Sequence, residues 1–412
     1  MKLLRVRQKL VSHPIADIPA AVCAALDQLE IDVPPGDVAI TAGSRGTNNI
    51  ASILRAAGGW LRKRGARPFV FPAMGTHNGA TAEGQQAMLA SLEVTEATVD
   101  MPIRASMECV RLGSVSQTAE GAPCDVWMDR HAYESAGVLV VNRIKLHTCF
   151  SGPVQSGLSK MMVVGMGKVG SARSFHATSN DGLADRLLAM RRVVLDTGKI
   201  WAGLAILEDG YDQTAELHAL RPDDIVSREP LLLERHKNYF PRLPLDHIEV
   251  LVVDTIGKNY SGTGMDTNVI GYRGVKGYED LARPHIHVIA ALDLHPASQG
   301  NGVGVGLADF TTARLRDAID QPKMFINAFT TGHMQRVKIP MAFRDDEELF
   351  ARLAGRYGEK GWLIIPNTLH LGTLYASPDL RAALEANPLC TVNAEPVELT
   401  FKNGRQQLFA GE

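Results

Sequence analysis

Short runs rich in β-branched residues alternate with segments of helical spacing along almost the whole chain. Strands that alternate with helices favour parallel sheets that are covered by helices on both faces. The sequence therefore predicts an α/β protein. The predicted strands are residues 37–41, 68–72, 137–142, 200–207, 250–254, 287–292 and 362–366. The predicted helices are residues 18–29, 49–63, 82–92, 183–195, 313–319 and 346–356.

A stretch that is rich in proline and charge interrupts this alternation between residues 229 and 246, and the pattern restarts at Ile248. A chain of 412 residues is long enough for two or three domains. We therefore predict two α/β domains, residues 1–240 and residues 241–412. Ligands of such proteins bind at the carboxyl ends of strands or between domains, so a cleft for cofactor and substrate is expected between the two.

The tail of the chain has the pattern of a β-hairpin. Asn403-Gly404 is a preferred pair for a two-residue hairpin turn, and β-patterned residues flank it on both sides. We expect the two arms of this hairpin to be residues 397–401 and 406–410.

The composition is that of a globular enzyme. Hydrophobic residues make up 45% of the chain and the formal net charge is −2, so nothing points to nucleic acid or a membrane surface as a partner. No apolar run is long enough for a membrane helix, and charges interrupt the N-terminus before a signal core forms, so a cytoplasmic location is expected. The five cysteines contain no C-x-x-C pair, which argues against a zinc knuckle or a disulfide framework.

The segment from His147 to His176 holds most of the chemistry in the sequence. His147, Lys160 and His176 lie there among glycines and other small residues, which let a backbone approach a bulky ligand closely. Imidazole is a good ligand for nickel, zinc, copper and iron, and it transfers protons near neutral pH. A desolvated lysine amine can carry a covalent adduct. For Cys149, within the segment, the role of a small buried filler is expected.

Two loops that follow the first two predicted strands add further candidates. Arg45 follows the first strand and precedes a helix, where it can pair with a carboxylate or a phosphate; the alternative is a solvated surface arginine. His77 lies between glycines after the second strand. A lone histidine is more often structural than catalytic, so His77 gains weight from the other histidines.

Gly165, Gly167 and Gly170 form a Gly-x-Gly-x-x-Gly motif. A dinucleotide site needs a strand before this motif, a helix after it and an acidic residue about 20 positions later. The residue at about that distance is Met190, within a helical pattern. An NAD(P)-dependent oxidoreductase is therefore kept as an alternative. A second glycine-rich run, residues 299–306, can present N–H groups to an anion or can be a connecting loop.

Taken together, these motifs resemble the nickel-pincer lactate racemase family. Their order and approximate spacing match, and the resemblance covers nearly the whole chain. The motifs that carry it are Gly43-Ser44-Arg45, Gly75-Thr76-His77, Lys145-Leu146-His147-Thr148 with Phe150, Ser156-Gly157-Leu158-Ser159-Lys160, and His176.

The resemblance implies two α/β domains and a nickel-pincer nucleotide, a pyridinium-3-thioamide-5-thiocarboxylate mononucleotide that holds nickel. It implies that Lys160 attaches this cofactor covalently and that His176 ligates the nickel. It also implies that Ser44, Arg45 and Gly157 bind the cofactor. The proteins that build the cofactor are the partners expected from this resemblance.

The resemblance further implies a racemase or epimerase of an α-hydroxy acid. His77 and His147 would be paired acid–base groups, and Arg45 and Gln299 would bind the small anionic substrate. Hydride removal gives a keto acid and avoids a carbanion at a weakly acidic carbon, and the cofactor performs this difficult step.

The sequence also departs from the lactate-specific pattern at two positions. Ala42 stands where the family has an acidic residue, and Gly302 stands three residues after Gln299, where the family has a lysine. Loss of a substrate-binding cation makes lactate itself a doubtful substrate and favours a larger hydroxy acid. A non-catalytic relative that binds a small anion is the third interpretation.

Overall fold

The computed structural model describes residues 1–116, 123–176, 182–276 and 279–410. These residues form two compact units. The first unit is Ser12–Phe240, and the second unit combines Met1–Val11 with Pro241–Glu412. Both units contain sheets and helices, so the predicted fold class of two α/β domains is confirmed.

The strands are numbered β1 to β18 in chain order. They are β1 (Lys2–Gln8), β2 (Gly36–Ala42), β3 (Ala66–Pro72), β4 (Cys109–Val115), β5 (Cys124–Asp129), β6 (Gly137–Arg143), β7 (Ile200–Glu208), β8 (Thr214–Leu220), β9 (His247–Ile256), β10 (His285–Leu294), β11 (Phe310–Thr312), β12 (Met341–Phe343), β13 (Trp362–Ile365), β14 (Thr373–Ala376), β15 (Cys390–Val392), β16 (Val397–Glu398), β17 (Phe401–Lys402) and β18 (Arg405–Gln406).

The α-helices follow the same order. They are α1 (Ile18–Asp27), α2 (Ile50–Arg62), α3 (Ala82–Ser91), α4 (Glu96–Val99), α5 (Arg130–Glu134), α6 (Leu158–Lys160), α7 (Lys168–His176), α8 (Leu183–Leu195), α9 (Pro222–Tyr239), α10 (Thr267–Ile270), α11 (Ala313–Asp317), α12 (Gln321–Thr331), α13 (Asp346–Tyr357) and α14 (Arg381–Glu385). A π-helical turn, Met161–Gly165, continues α6.

The first unit is built on a sheet with the strand order β3-β2-β6-β7-β8. The first four of these strands are parallel and β8 is antiparallel to β7. Every residue of β7 is buried, as expected for a strand covered on both faces. Because parallel strands share one direction, the chain leaves β2 at Ala42, β3 at Pro72 and β6 at Arg143 along the same edge of the sheet.

Helices α1 and α2 pack on this sheet through apolar faces. Asp17 caps α1 by accepting a hydrogen bond from the N–H of Ala20, which satisfies one free donor of the first turn. Trp60 of α2 packs near Trp201 of β7 and donates its indole N–H to Asp27. The packing of α1 and α2 therefore holds in place the sheet whose carboxyl edge carries the loops.

The second unit contains a sheet with the order β12-β11-β10-β9-β13-β14-β1-β15, and β16 also pairs with β1. The prediction that residues 1–240 form one domain is wrong for residues 1–11, since β1 lies within this sheet between β14 and β15. The pairing buries Leu3, Leu4 and Val6 completely. The partners of β1 are more than 360 residues away in sequence, as the pair Leu4 and Ala376 shows, so no local pattern indicates them.

Two further expectations need correction. The interruption predicted from residue 229 lies inside a helix, because α9 continues through Pro230 to Tyr239 and the chain enters the second unit only at Pro241. The turn at Asn403-Gly404 does form a hairpin, with positive φ at both residues, but its arms are only β17 and β18. Among the described residues, no helix is long and apolar enough to cross a membrane.

Candidate active site

Three loops of the first unit meet at the carboxyl edge of its sheet. A Cβ atom at Gly43, after β2, would lie 3.1 Å from the terminal methyl of Met161. The N–H of Gly75, after β3, donates to the carbonyl of Gly165 at 3.2 Å. The Asn142 side chain at the end of β6 donates to the carbonyl of Gly157 at 2.7 Å. The loops that carry Ser44, Arg45, His77 and His147 therefore surround the segment that begins with Lys160.

Lys160 and His147 are in direct contact. The Nζ atom of Lys160 lies 2.6 Å from Nε2 of His147. Three further contacts hold the imidazole in place: the N–H of Cys149 donates to Nδ1 at 3.0 Å, the N–H of His147 donates to Oε1 of Gln155 at 2.6 Å, and the ring packs on Phe150 with centroids 4.4 Å apart. The two groups most heavily weighted in the sequence thus form one hydrogen-bonded pair.

The hydrogen bond of this pair depends on its protonation. A neutral amine at Lys160 can accept a hydrogen bond from Nε2–H of His147, and a protonated amine can donate one to the unprotonated Nε2. Burial lowers the pKa of Lys160 to about 8; Cys149 opposes this shift, and the cations Arg45 and Lys145 add to it. Lys160 therefore loses its proton, and becomes a nucleophilic amine, near pH 8 and not near the ordinary value of 10.5.

The surroundings of Lys160 are cationic. The positive charges of Arg45 and Lys145 lower the pKa of the Lys160 amine, and the charge of Arg143 lowers the pKa of Arg45. Arg143 forms an ion pair with the buried Glu208. Asp212, in the turn between β7 and β8, faces Arg143 and Lys145, and its burial, supported by Glu208, raises its pKa to about 6. The combination is suited to an anionic ligand.

A buried carboxylate, that of Glu229, holds the residue that precedes Lys160. Glu229 of α9 accepts hydrogen bonds from the N–H of Ser159 at 3.1 Å and from its hydroxyl, and Arg191 donates to that hydroxyl at 3.2 Å. Ser159 and Glu229 are almost fully buried, and burial raises the pKa of Glu229 while the Ser159 hydrogen bonds lower it. This network fixes the backbone next to Lys160.

Gly157 is required by this packing. A Cβ atom there would collide with Oε1 of Glu229 and lie 2.6 Å from Cδ1 of Ile144. We expect Gly157→Ala to lower the free energy of unfolding by about 1–3 kcal/mol, as overpacked cores do. Gly59→Ala is the matched control: nothing lies within 4 Å of its Cβ position inside α2, so a gain of about 0.5–1 kcal/mol is expected. Urea denaturation of both variants checks this, and equal effects would contradict the packing argument.

His77 and Ser44 form a second pair at the same edge. The hydroxyl of Ser44 makes a short hydrogen bond with Nδ1 of His77, and both groups are at least partly accessible. His77 lies at the start of a 3-10 turn, Asn78–Ala80, that leads into α3. The structure therefore joins Ser44 and Arg45 of one loop to His77 of another and to Lys160.

A buried lysine anchors the His77 loop. Nζ of Lys168 donates to the carbonyl of Pro72 at 2.7 Å and to Oε1 of Gln85 at 3.2 Å, and it pairs with Asp129 at 3.1 Å. The amide nitrogen of Gln85 in turn donates to the carbonyl of Gly75 at 2.9 Å. Lys168 was not predicted from the sequence, because it lies within the glycine motif that suggested a nucleotide site.

The dinucleotide interpretation of that motif is wrong. Gly165 belongs to the π-helical turn and is preceded by α6, not by a strand. Its Cβ would lie 2.7 Å from the carbonyl oxygen of Ala73, and a Cβ at Gly170 would lie 2.7 Å from Trp127. These glycines allow the π-helical turn and α7 to pack closely against the chain after β3 and against β5. The strand–turn–helix geometry that binds a pyrophosphate is not present at this motif.

Two predicted residues, Gln299 and His176, are in other parts of the sequence. Gln299 belongs to the second unit, where it is exposed, has φ 49°, and accepts a hydrogen bond from Lys323 on its backbone carbonyl. Gly302 is buried, and a Cβ there would lie 2.7 Å from Ile319, so this position has no room for the lysine of the lactate-specific pattern. His176 ends α7, and its side chain lies outside the described part of the chain.

Within the described ranges, no cluster of three or more His, Cys, Asp or Glu side chains could hold a metal ion.

A cavity of about 680 Å³ lies in the second unit at the amino ends of β9 and β10. It is lined by residues that include His247, Glu249, His285 and Tyr272, and it contains none of the residues predicted from the sequence. The amino ends of parallel strands are not the usual ligand-binding edge.

Comparison with known proteins supports the fold. No protein-family profile and no curated sequence matches this chain. Its fold is similar to that of the lactate racemase apoprotein from Thermoanaerobacterium thermosaccharolyticum. The two chains are 12% identical, the similarity covers 88% of this chain and 94% of the other, and the TM-score is 0.52. At this identity the similarity shows a shared fold and leaves activity to be argued from the site.

Proposed function

We propose that this protein is a racemase or epimerase of a 2-hydroxy acid that uses a nickel-pincer nucleotide attached through Lys160. The observation that carries the proposal is the contact of the Lys160 amine with His147, at the meeting point of the Ser44, Arg45 and His77 loops. The motif resemblance and the fold shared with a lactate racemase point in the same direction.

The residues present fit this cofactor. An uncharged amine is the form that attacks an activated carboxyl group to make a covalent link. Arg45 and Lys145 supply cations for the phosphate of a mononucleotide. A nucleotide that brings its own sulfur ligands needs few metal ligands from the protein. His176 would add one ligand, as the resemblance implies.

When bound, the cofactor supplies a hydride acceptor and donor for the α-carbon of the substrate. The work of the chain itself is proton transfer and orientation. His77 and His147 would remove the hydroxyl proton and return it, and Arg45 would hold the carboxylate. Acylation of Lys160 would end its contact with His147 and make Nε2 of His147 accessible to the substrate for proton transfer.

The test is expression of the full chain together with proteins that build the cofactor. We expect a nickel-containing protein with a mass increase on Lys160, and isomerisation of at least one member of a 2-hydroxy-acid panel that extends beyond lactate. Lys160→Met should abolish both the mass increase and the activity. Anion binding without a mass increase or turnover would instead favour the non-catalytic interpretation.

A further inference from the structure

We propose that Lys160 of the cofactor-free protein condenses with small anionic aldehydes and 2-oxo acids to form an imine. This activity rests on the Lys160 pair and its cations, and it does not require the nickel cofactor. Glyoxylate and pyruvate are the simplest compounds of this class.

The geometry prepares the amine for attack on a carbonyl. The amine of Lys160 lies 2.6 Å from Nε2 of His147, and the imidazole cannot turn freely because Cys149 and Gln155 hold its ring and backbone. The Ser159–Glu229 network fixes the backbone one residue earlier. Few degrees of freedom must be ordered when a substrate arrives, which favours reaction at this amine over an exposed lysine.

The charges select an anion. The ionisable groups that act on Lys160 are Arg45 from the loop after β2, and Lys145, His147 and Cys149 from the segment after β6. Two of these are permanent cations at neutral pH, so a carbonyl compound that carries a carboxylate is attracted and a cationic one is repelled.

The reaction is a condensation without oxidation or reduction. The nitrogen of Lys160 forms a bond to the carbonyl carbon while the C=O π bond breaks and its electron pair moves to oxygen. The nitrogen loses a proton and the oxygen gains one, which His147 can relay, and this gives a carbinolamine. Loss of the hydroxyl with a second proton then releases one water molecule and leaves the imine.

If the proposed function is correct, the imine also has a consequence for assembly. The oxidised form of a 2-hydroxy acid is a 2-oxo acid, so a 2-oxo acid present in solution would react with Lys160 before the cofactor is attached. Pyruvate or glyoxylate should then slow cofactor attachment, since both compete for one amine.

The experiment uses the full chain, expressed without cofactor-building proteins, with glyoxylate and cyanoborohydride to reduce the imine. Intact mass should show a single adduct, and peptide mapping should place it on Lys160. Lys160→Met should lose the adduct. Lys237→Met, an exposed lysine paired with Glu234, is the matched control and should leave the yield unchanged. Adducts spread over exposed lysines, with Lys160 unmodified, would overturn the proposal.

Two further measurements separate the effect of the lowered pKa of Lys160 from the effect of the neighbouring cations. The rate of trapping should rise with pH and level off above about 8, where Lys160 has lost its proton, whereas an ordinary lysine gains reactivity up to about 10.4. Lys145→Met should slow trapping of glyoxylate more than trapping of the neutral acetaldehyde. Equal slowing of both aldehydes would exclude charge selection.

Failure of this proposal is distinguishable from failure of the proposed function. A nickel-loaded, active enzyme whose cofactor-free form gives no adduct on Lys160 would exclude the imine alone. An adduct on Lys160 in a protein that never acquires the cofactor would exclude the racemase alone.

Discussion

Replacement of His77 or His147 by alanine should abolish racemisation in both directions. Each turnover needs a proton taken from the substrate hydroxyl and a proton returned, and the two histidines are proposed to divide these tasks between the two substrate enantiomers. A general acid–base group contributes about 10²–10⁴-fold in rate, so a loss of kcat of that order is expected from either variant.

The rates of both variants should be measured from both enantiomers of a confirmed substrate. The two variants should differ in how much cofactor they retain. His77→Ala should retain the cofactor, because its hydrogen bond is to Ser44. His147→Ala removes the partner of Lys160, so its cofactor content must be measured alongside its rate. His218→Ala, whose imidazole bonds to Glu216, is the control and should stay active. Near-normal isomerisation by His77→Ala or His147→Ala would refute the two-histidine scheme.

Strands and helices were predicted well where the pattern of apolar residues within the element itself indicates its burial. The predicted strand at residues 200–207 corresponds to β7, which is buried at every position, and the helix predicted for residues 183–195 has the observed ends of α8. The place of β1 could not be predicted in the same way. Its burial depends on partners near the other end of the chain, and strand pairing over such a separation leaves no local pattern.

The loop residues of the candidate site could be predicted from the sequence, but the contacts that hold them in place could not. Loops at the ends of parallel strands share one edge, so Arg45, His77 and His147 could be expected to approach one another. The orientation of the His147 ring depends on the backbone N–H of Cys149, whose direction no residue pattern specifies.

Glu229 could have been found from spacing. It lies on the apolar face of α9, and a charge on such a face indicates a buried partner. The other buried residues of this face are Ile225, Leu232, Leu233, His236 and Tyr239.

Lys168→Met should lower the free energy of unfolding by about 3–5 kcal/mol, the usual result of removing one partner from a buried ion pair. Lys168 and Asp129 are both inaccessible to solvent. Burial lowers the pKa of Lys168 and raises that of Asp129, while their mutual attraction opposes both shifts. The variant leaves the Asp129 carboxylate buried without its cation, and the carbonyl of Pro72 and the Gln85 amide oxygen lose a donor.

Urea denaturation near pH 7 and near pH 4 tests this account. A carboxyl whose pKa is raised on folding stabilises the folded state below its unfolded pKa and loses that contribution as pH rises, so the deficit of Lys168→Met should shrink toward pH 4. Lys237→Met removes an exposed ion pair and should cost at most about 1 kcal/mol at either pH. A deficit in Lys168→Met that is small, or independent of pH, would mean that Asp129 finds water or another donor. Because Gln85 joins Lys168 to the carbonyl of Gly75, the variant should also loosen the His77 loop, so its kcat should fall even where the protein remains folded.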